Sequence, residues 1–207
     1  MPFASFPSPA SVAKAFQITC TENVFVEPIE ATLAESFLAD LEWNQREIAY
    51  DASEFAICES LIFPLLKQVW KPFSAVLSLW SHVPLCYDEV LSGVPDYIVA
   101  KRSPLGKIVF DQPYLIVMEA KKDNFDQGWG QCLAAMLAAQ KMNKEPARTV
   151  YGIACNGRVW QFGRLDEDVF TQDPRLFTLT DPNGLSAALR FVFEECKQQA
   201  TAQACAT

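Results

Sequence analysis

Three residues in the middle of the chain carry the chemistry: Asp96, in the dipeptide Pro95-Asp96, and the pair Glu119 and Lys121 around Ala120. Val94–Ala100 and Tyr114–Lys121 both read as strands, the second a nearly continuous apolar run that ends in charge. Such a run fits a central strand buried on both faces. Side chains alternate along a strand, so Glu119 and Lys121 project from one face. Opposite charges there are expensive to desolvate without a partner or a purpose. Two carboxylates from neighbouring strands can hold a hard divalent cation, with the Ala120 carbonyl as a further oxygen ligand. Lys121 would then orient a water and stabilise charge developing on phosphorus. That is equipment for hydrolysing a phosphodiester.

The elements that must position these groups follow from periodicity. Ile48, Ala52, Phe55, Ile62, Leu66 and Val69 recur at helical spacing and predict a helix over about Glu47–Trp70, kinked or split at Pro64. A shorter helix is expected before it, around Ile29–Leu41. Lys107–Phe110 reads as a short strand between the two main ones. A helix over Gln127–Lys141, rich in Ala, Leu and Met, is followed by a strand over Thr149–Cys155. Asn156-Gly157 is a two-residue hairpin turn into Arg158–Leu165. Leu185, Ala188, Leu189, Val192 and Cys196 mark a closing amphipathic helix over Leu185–Gln199. The order predicts an α/β fold, a central mixed sheet flanked by helices, in one domain of 207 residues. Residues 1–20 and 200–207 are expected to be poorly ordered.

This order of motifs resembles the PD-(D/E)XK nuclease superfamily: P-D, a hairpin, an apolar strand ending E-x-K, then a helix. Ser53-Glu54, followed ten residues later by Pro64-Leu65-Leu66, is similar to the helix in the N-terminal nuclease domains of type I restriction-enzyme motor subunits. There an acidic residue precedes an I-x-P-x-L stretch. Gln131 matches the glutamine of that family's second helix, although Ala135 stands where a tyrosine often follows. Cys155-Asn156-Gly157-Arg158-Val159-Trp160 is similar to its T-N-G-x-x-W segment, with Cys155 in place of threonine. The resemblance covers about residues 47–165 and implies a restriction endonuclease-like core. It further implies a Mg²⁺ or Mn²⁺ ion held by Asp96, Glu119, Ala120 and Glu54, with Lys121 acting on the water and Gln131 positioning the site. Glu47 and Glu59 are rivals to Glu54. The implied partner is nucleic acid, DNA before RNA, and a homodimer or larger assembly stays open. The alternative is the same fold kept as a non-catalytic binding or assembly module.

Composition narrows the field. His82 is the only histidine, which removes His-based zinc hydrolases, HNH-type nucleases and most Ser-His or Cys-His schemes; in the loop Trp80–Pro84 it reads as a polar bystander. Seven scattered cysteines contain no C-x-x-C pair, so free thiols in a reducing compartment are expected. No stretch approaches the roughly eighteen apolar residues of a membrane span, and the first twenty residues lack the features of a signal peptide, so a cytoplasmic protein is expected. The net charge is −8, but Tyr97–Leu165 holds ten basic residues against five acidic ones, leaving −13 for the remainder. Lys101, Arg102, Lys107 and Lys122, with Arg158 or Lys141, are therefore expected to rim the site.

Overall fold

Tyr114–Met118 has no charged side chain, and a strand so apolar needs cover on both faces. In the computed structural model, which describes residues 3–202, that cover is present. The central strand β6 (Phe110–Ala120) is flanked by β5 (Tyr97–Arg102) and β7 (Val150–Cys155). Its last eight residues are all buried. β6 runs antiparallel to β5 and parallel to β7. The parallel pair is joined by α5 (Phe125–Asn143), the crossover that parallel strands require.

The remaining strands are β1 (Thr19–Glu22), β2 (Leu77–Ser81), β8 (Val159–Asp166), β9 (Val169–Gln172) and β10 (Phe177–Thr178), with a separate ribbon of β3 (Leu85–Cys86) and β4 (Ser92–Gly93). The sheet order is β1-β9-β8-β7-β6-β5-β2, and β10 pairs with β8. Two hydrophobic layers cover it. One holds Leu61, Leu65 and Val69 with Leu189, Val192 and Phe193 of α6 (Pro182–Ala202). The other holds α5 residues Cys132, Leu133 and Met136 with Phe3, Phe6 and Val12. The fold is mixed α/β, a central mixed sheet between helical layers.

Several boundaries differ from expectation. The first helix begins at Glu54, not Glu47: α2 (Glu35–Glu47) ends before it, and Ser53 caps the new start by accepting from the Ala56 N–H. From there the chain runs through α3 (Glu54–Ile57), a π-helical turn (Cys58–Ile62) and α4 (Phe63–Trp70). The π turn accommodates Pro64, which cannot donate to the Ser60 carbonyl; the Asn44 side chain donates there instead, at 2.9 Å.

Lys107–Val109 lies in a turn, and Phe110 already belongs to β6. The hairpin turn is displaced by one residue: Asn156 N–H donates to the Val159 carbonyl, leaving Gly157 and Arg158 central. Gly157 has φ +82, as the first central position of a type II′ turn requires, and a Cβ there would meet Ile57 at 2.8 Å.

The N-terminal residues expected to be disordered instead form α1 (Pro9–Phe16) and a turn that buries Phe3 and Phe6. Gly130 makes this docking feasible, since a Cβ would meet the Phe6 carbonyl at 2.4 Å. At the other end α6 continues to Ala202, with Ala200 buried; the rest of the expected tail, 203–207, lies outside the described residues. Among the described residues no helix is long and apolar enough to cross a membrane.

Candidate active site

Asp96 stands one residue ahead of β5 rather than inside a strand, because Pro95 has no N–H for a ladder. Tyr97 pairs with Met118, so extending the antiparallel register by one residue sets Asp96 opposite Glu119. The Asp96 Oδ2 accepts from the Ala120 N–H at 2.7 Å, and its backbone carbonyl accepts from the His82 N–H at 2.9 Å. Lys121 N–H donates to the Cys155 carbonyl at 2.9 Å, which carries the β6–β7 ladder one residue past the strand. Its side chain passes over Gly128 in the first turns of α5, where an added Cβ would lie 3.2 Å from Lys121 Cγ. Beyond it, Nζ reaches Glu54 Oε2 at 3.3 Å.

Burial dominates the electrostatics. Glu119 is only 4% exposed, and no hydrogen bond reaches its carboxylate from the described residues. Burial, and then the neighbouring Asp96, push its carboxyl well above the ordinary range; Lys121 opposes them. Asp96 is also raised, first by burial, against the Ala120 N–H, Lys121 and His82. Burial and the Asp96 charge push the Cys58 thiol up to about 12. A buried carboxylate beside another one is a place where a cation would relieve both.

The other expected members are placed differently. Glu54 opens α3 with its side chain 47% exposed, and its carboxylate lies on the Lys121 ammonium, although its charge is still felt at Asp96 and Glu119. Gln131 is buried in α5, and no hydrogen bond joins it to Asp96, Glu119 or Lys121. Glu47 pairs with Arg46 on the surface. Glu59 lines the same cavity as His82.

The expected basic rim does not gather. Lys101 and Arg102 occupy the far end of β5, with Arg102 donating to the Ser74 carbonyl. Lys107 lines a cavity with Arg102 there, and Lys141 sits over the Tyr87 ring. Only Lys122, next to Lys121, and Arg158, on the β7–β8 turn over the Tyr50 ring, remain at the end of the sheet that carries the carboxylates.

Two residues that looked inert in the sequence belong to the site. His82 Nε2 lies 3.3 Å from Asp96 Oδ1, and Cys58, at the start of the π turn, brings its Sγ into the same group. The signal available was the apolar strand Leu77–Trp80 ahead of His82, which becomes β2 and pairs with β5.

No protein-family model matches the chain, and no curated protein matches it. Among solved structures it is similar to the complex of DrdV with DNA determined by cryo-electron microscopy, at 13% identity and a TM-score of 0.45. The match covers 78% of this chain and 14% of that one.

Proposed function

We propose that the chain is a divalent-metal-dependent nuclease of the PD-(D/E)XK type that hydrolyses phosphodiester bonds in DNA. The observation that carries this reading is Glu119: a buried carboxylate that accepts no hydrogen bond from the described residues, opposite Asp96 and two residues from Lys121. Such an arrangement lacks a positive charge large enough to balance it, and the oxygen-rich donor set fits Mg²⁺ or Mn²⁺. Asp96, Glu119 and the Ala120 carbonyl would hold the ion, with Glu54 in support. When bound, the ion supplies Lewis-acid polarisation of a phosphoryl oxygen. Lys121 orients the attacking water and neutralises charge that develops on the phosphate, a role that needs its ammonium to shift from Glu54 towards substrate. Gln131 lies one helical turn after Gly128, on the α5 face that touches Lys121, and acts as a positioning residue.

A binding or assembly module on the same fold is favoured by one observation: Glu54 already neutralises Lys121. Purified protein separates the two. Cleavage of plasmid or linear DNA with Mg²⁺ or Mn²⁺ but not Ca²⁺, reduced at least about 100-fold by Lys121→Ala, supports the nuclease. Absence of cleavage with any divalent ion leaves the module.

A further inference from the structure

Beside the carboxylate pair is a second group of donors with a different chemical preference. Cys58 Sγ, a His82 ring nitrogen and an Asp96 carboxylate oxygen all lie within 4.8 Å of one another. They come from the start of the π turn, the end of β2 and the residue before β5. We propose that these three side chains form a binding site for a borderline-soft divalent cation of the Zn²⁺ class, distinct from the oxygen site at Glu119.

The geometry of the histidine is the first argument. Its Nε2 is shut off from solvent and makes no hydrogen bond to the described residues, although Asp96 Oδ1 is 3.3 Å away. Two ligands on a tetrahedral zinc ion, each at about 2.0 Å, are separated by about 3.3 Å. The pair therefore stands at the spacing of two co-ligands, and its alignment is wrong for a hydrogen bond.

The second argument is orientation. Nδ1 is held by Ser81 Oγ at 2.8 Å, an outer partner of the kind that fixes a ligating imidazole with its other nitrogen facing the metal. The rings of Phe55 and Tyr97, 5.6 and 5.9 Å from the imidazole, further restrain it.

Ligand chemistry is the third argument. A thiolate with an imidazole is a poor home for Mg²⁺ and a good one for Zn²⁺ or Co²⁺. Cys58 and His82 also line a surface cavity of about 330 Å³, which sets two of the three donors beside open space. Asp96 can serve both sites: Oδ1 faces His82, while Oδ2 accepts from the Ala120 N–H and keeps a second lone pair for an ion at Glu119. A bound ion would tie helix, sheet edge and loop together.

Titration of the metal-free protein with Co²⁺ tests the proposal without reference to nuclease activity. One equivalent should produce a thiolate-to-cobalt charge-transfer band, and Zn²⁺ should displace it. Cys58→Ser should abolish the band, and His82→Gln should weaken Zn²⁺ binding by more than about tenfold. Glu119→Gln should leave the band in place, which separates this site from the oxygen site. Thermal unfolding supplies a second readout: Zn²⁺ should raise the melting temperature of the natural chain, and by clearly less in Cys58→Ser and His82→Gln at the same Zn²⁺ concentration. Absence of a stoichiometric band would overturn the proposal. So would a band that persists in Cys58→Ser, since another thiol of the chain, such as the exposed Cys20 or Cys86, would then be its source.

Discussion

Glu119 and Lys121 are two residues apart on one strand end, yet they are held in opposite ways. The glutamate is buried to 4% exposure and accepts no hydrogen bond from the described residues, while the lysine pairs with a half-exposed Glu54. The Glu54 side of this pair is half-exposed and screened by solvent, so Lys121→Ala should change the urea midpoint only modestly while removing activity. Glu119→Gln should behave differently. The folded carboxyl lies above its ordinary 4.5, so stability present below that pH is lost as pH rises through the folded value. Without divalent ions, Glu119→Gln should therefore be more stable than the natural chain at pH 8, with the gap closing towards pH 4.5. Mg²⁺ should stabilise the natural chain and not the variant; equal stabilisation of both would place the ion elsewhere. Gly128→Ala gives a separate readout. Alanine favours the helix by about 1 kcal/mol, yet its Cβ would press on the Lys121 stem at 3.2 Å. Activity should fall while the melting temperature holds or rises. Strand alternation makes Glu119 and Lys121 legible in the sequence, whereas His82 and Cys58 are not. His82 adopts φ +52 in a loop and Cys58 opens a π turn, and neither conformation leaves a period to read.

Elements without apolar periodicity are held by single polar contacts, which is why they were hard to foresee. All four residues of β1 are exposed, so nothing in Thr19–Glu22 announces a strand. It lies parallel to β9, and the chain after it is latched by Asp173. That carboxylate accepts from the N–H groups of Phe25 and Val26, both at 3.0 Å, and from the Arg175 backbone and guanidinium. Burial alone would raise the Asp173 carboxyl, but these donors outweigh it and hold it well below the carboxylate range. A depressed value contributes stability above the ordinary 3.8 that is lost as pH falls through the folded value. The natural chain should therefore lose stability steeply below about pH 4, and Asp173→Asn should flatten that slope. Asp173→Ala, which strands two buried N–H groups, should cost about 2–3 kcal/mol in urea unfolding at pH 7. Helices α5 and α6 were legible because their buried faces are long. The helix over Glu54–Trp70 was legible as a helix, but its start was not: a cap at Ser53 and a π turn around Pro64 override the apolar spacing that continues back to Ile48.

Across the whole molecule the charge is unevenly spread, and sequence position misrepresents it. Lys101, Arg102 and Lys107 follow Asp96 closely in the chain, but the six residues of β5 carry them roughly 20 Å along the sheet, away from the carboxylates. The end that bears Asp96 and Glu119 keeps Lys121, Lys122 and Arg158, within a chain of net charge −8. A polyanion approaching that end meets few cations, and each phosphate contact contributes a slope of about −0.9 in log affinity against log salt. DNA binding should therefore show a shallow slope of about −2 to −3, and Lys122→Ala and Arg158→Ala should each reduce it by about 0.9. Fluorescence anisotropy with a short labelled duplex, titrated at several salt concentrations, measures both numbers. Ca²⁺ can replace Mg²⁺ in this assay, since it takes the same oxygen ligands and keeps the duplex uncut. A slope far steeper than −3 would require cations from the distant end of β5, and so a binding face away from the carboxylates. Absence of binding at low salt would remove DNA as the partner and leave the assembly module as the reading that the Glu54–Lys121 ion pair favours.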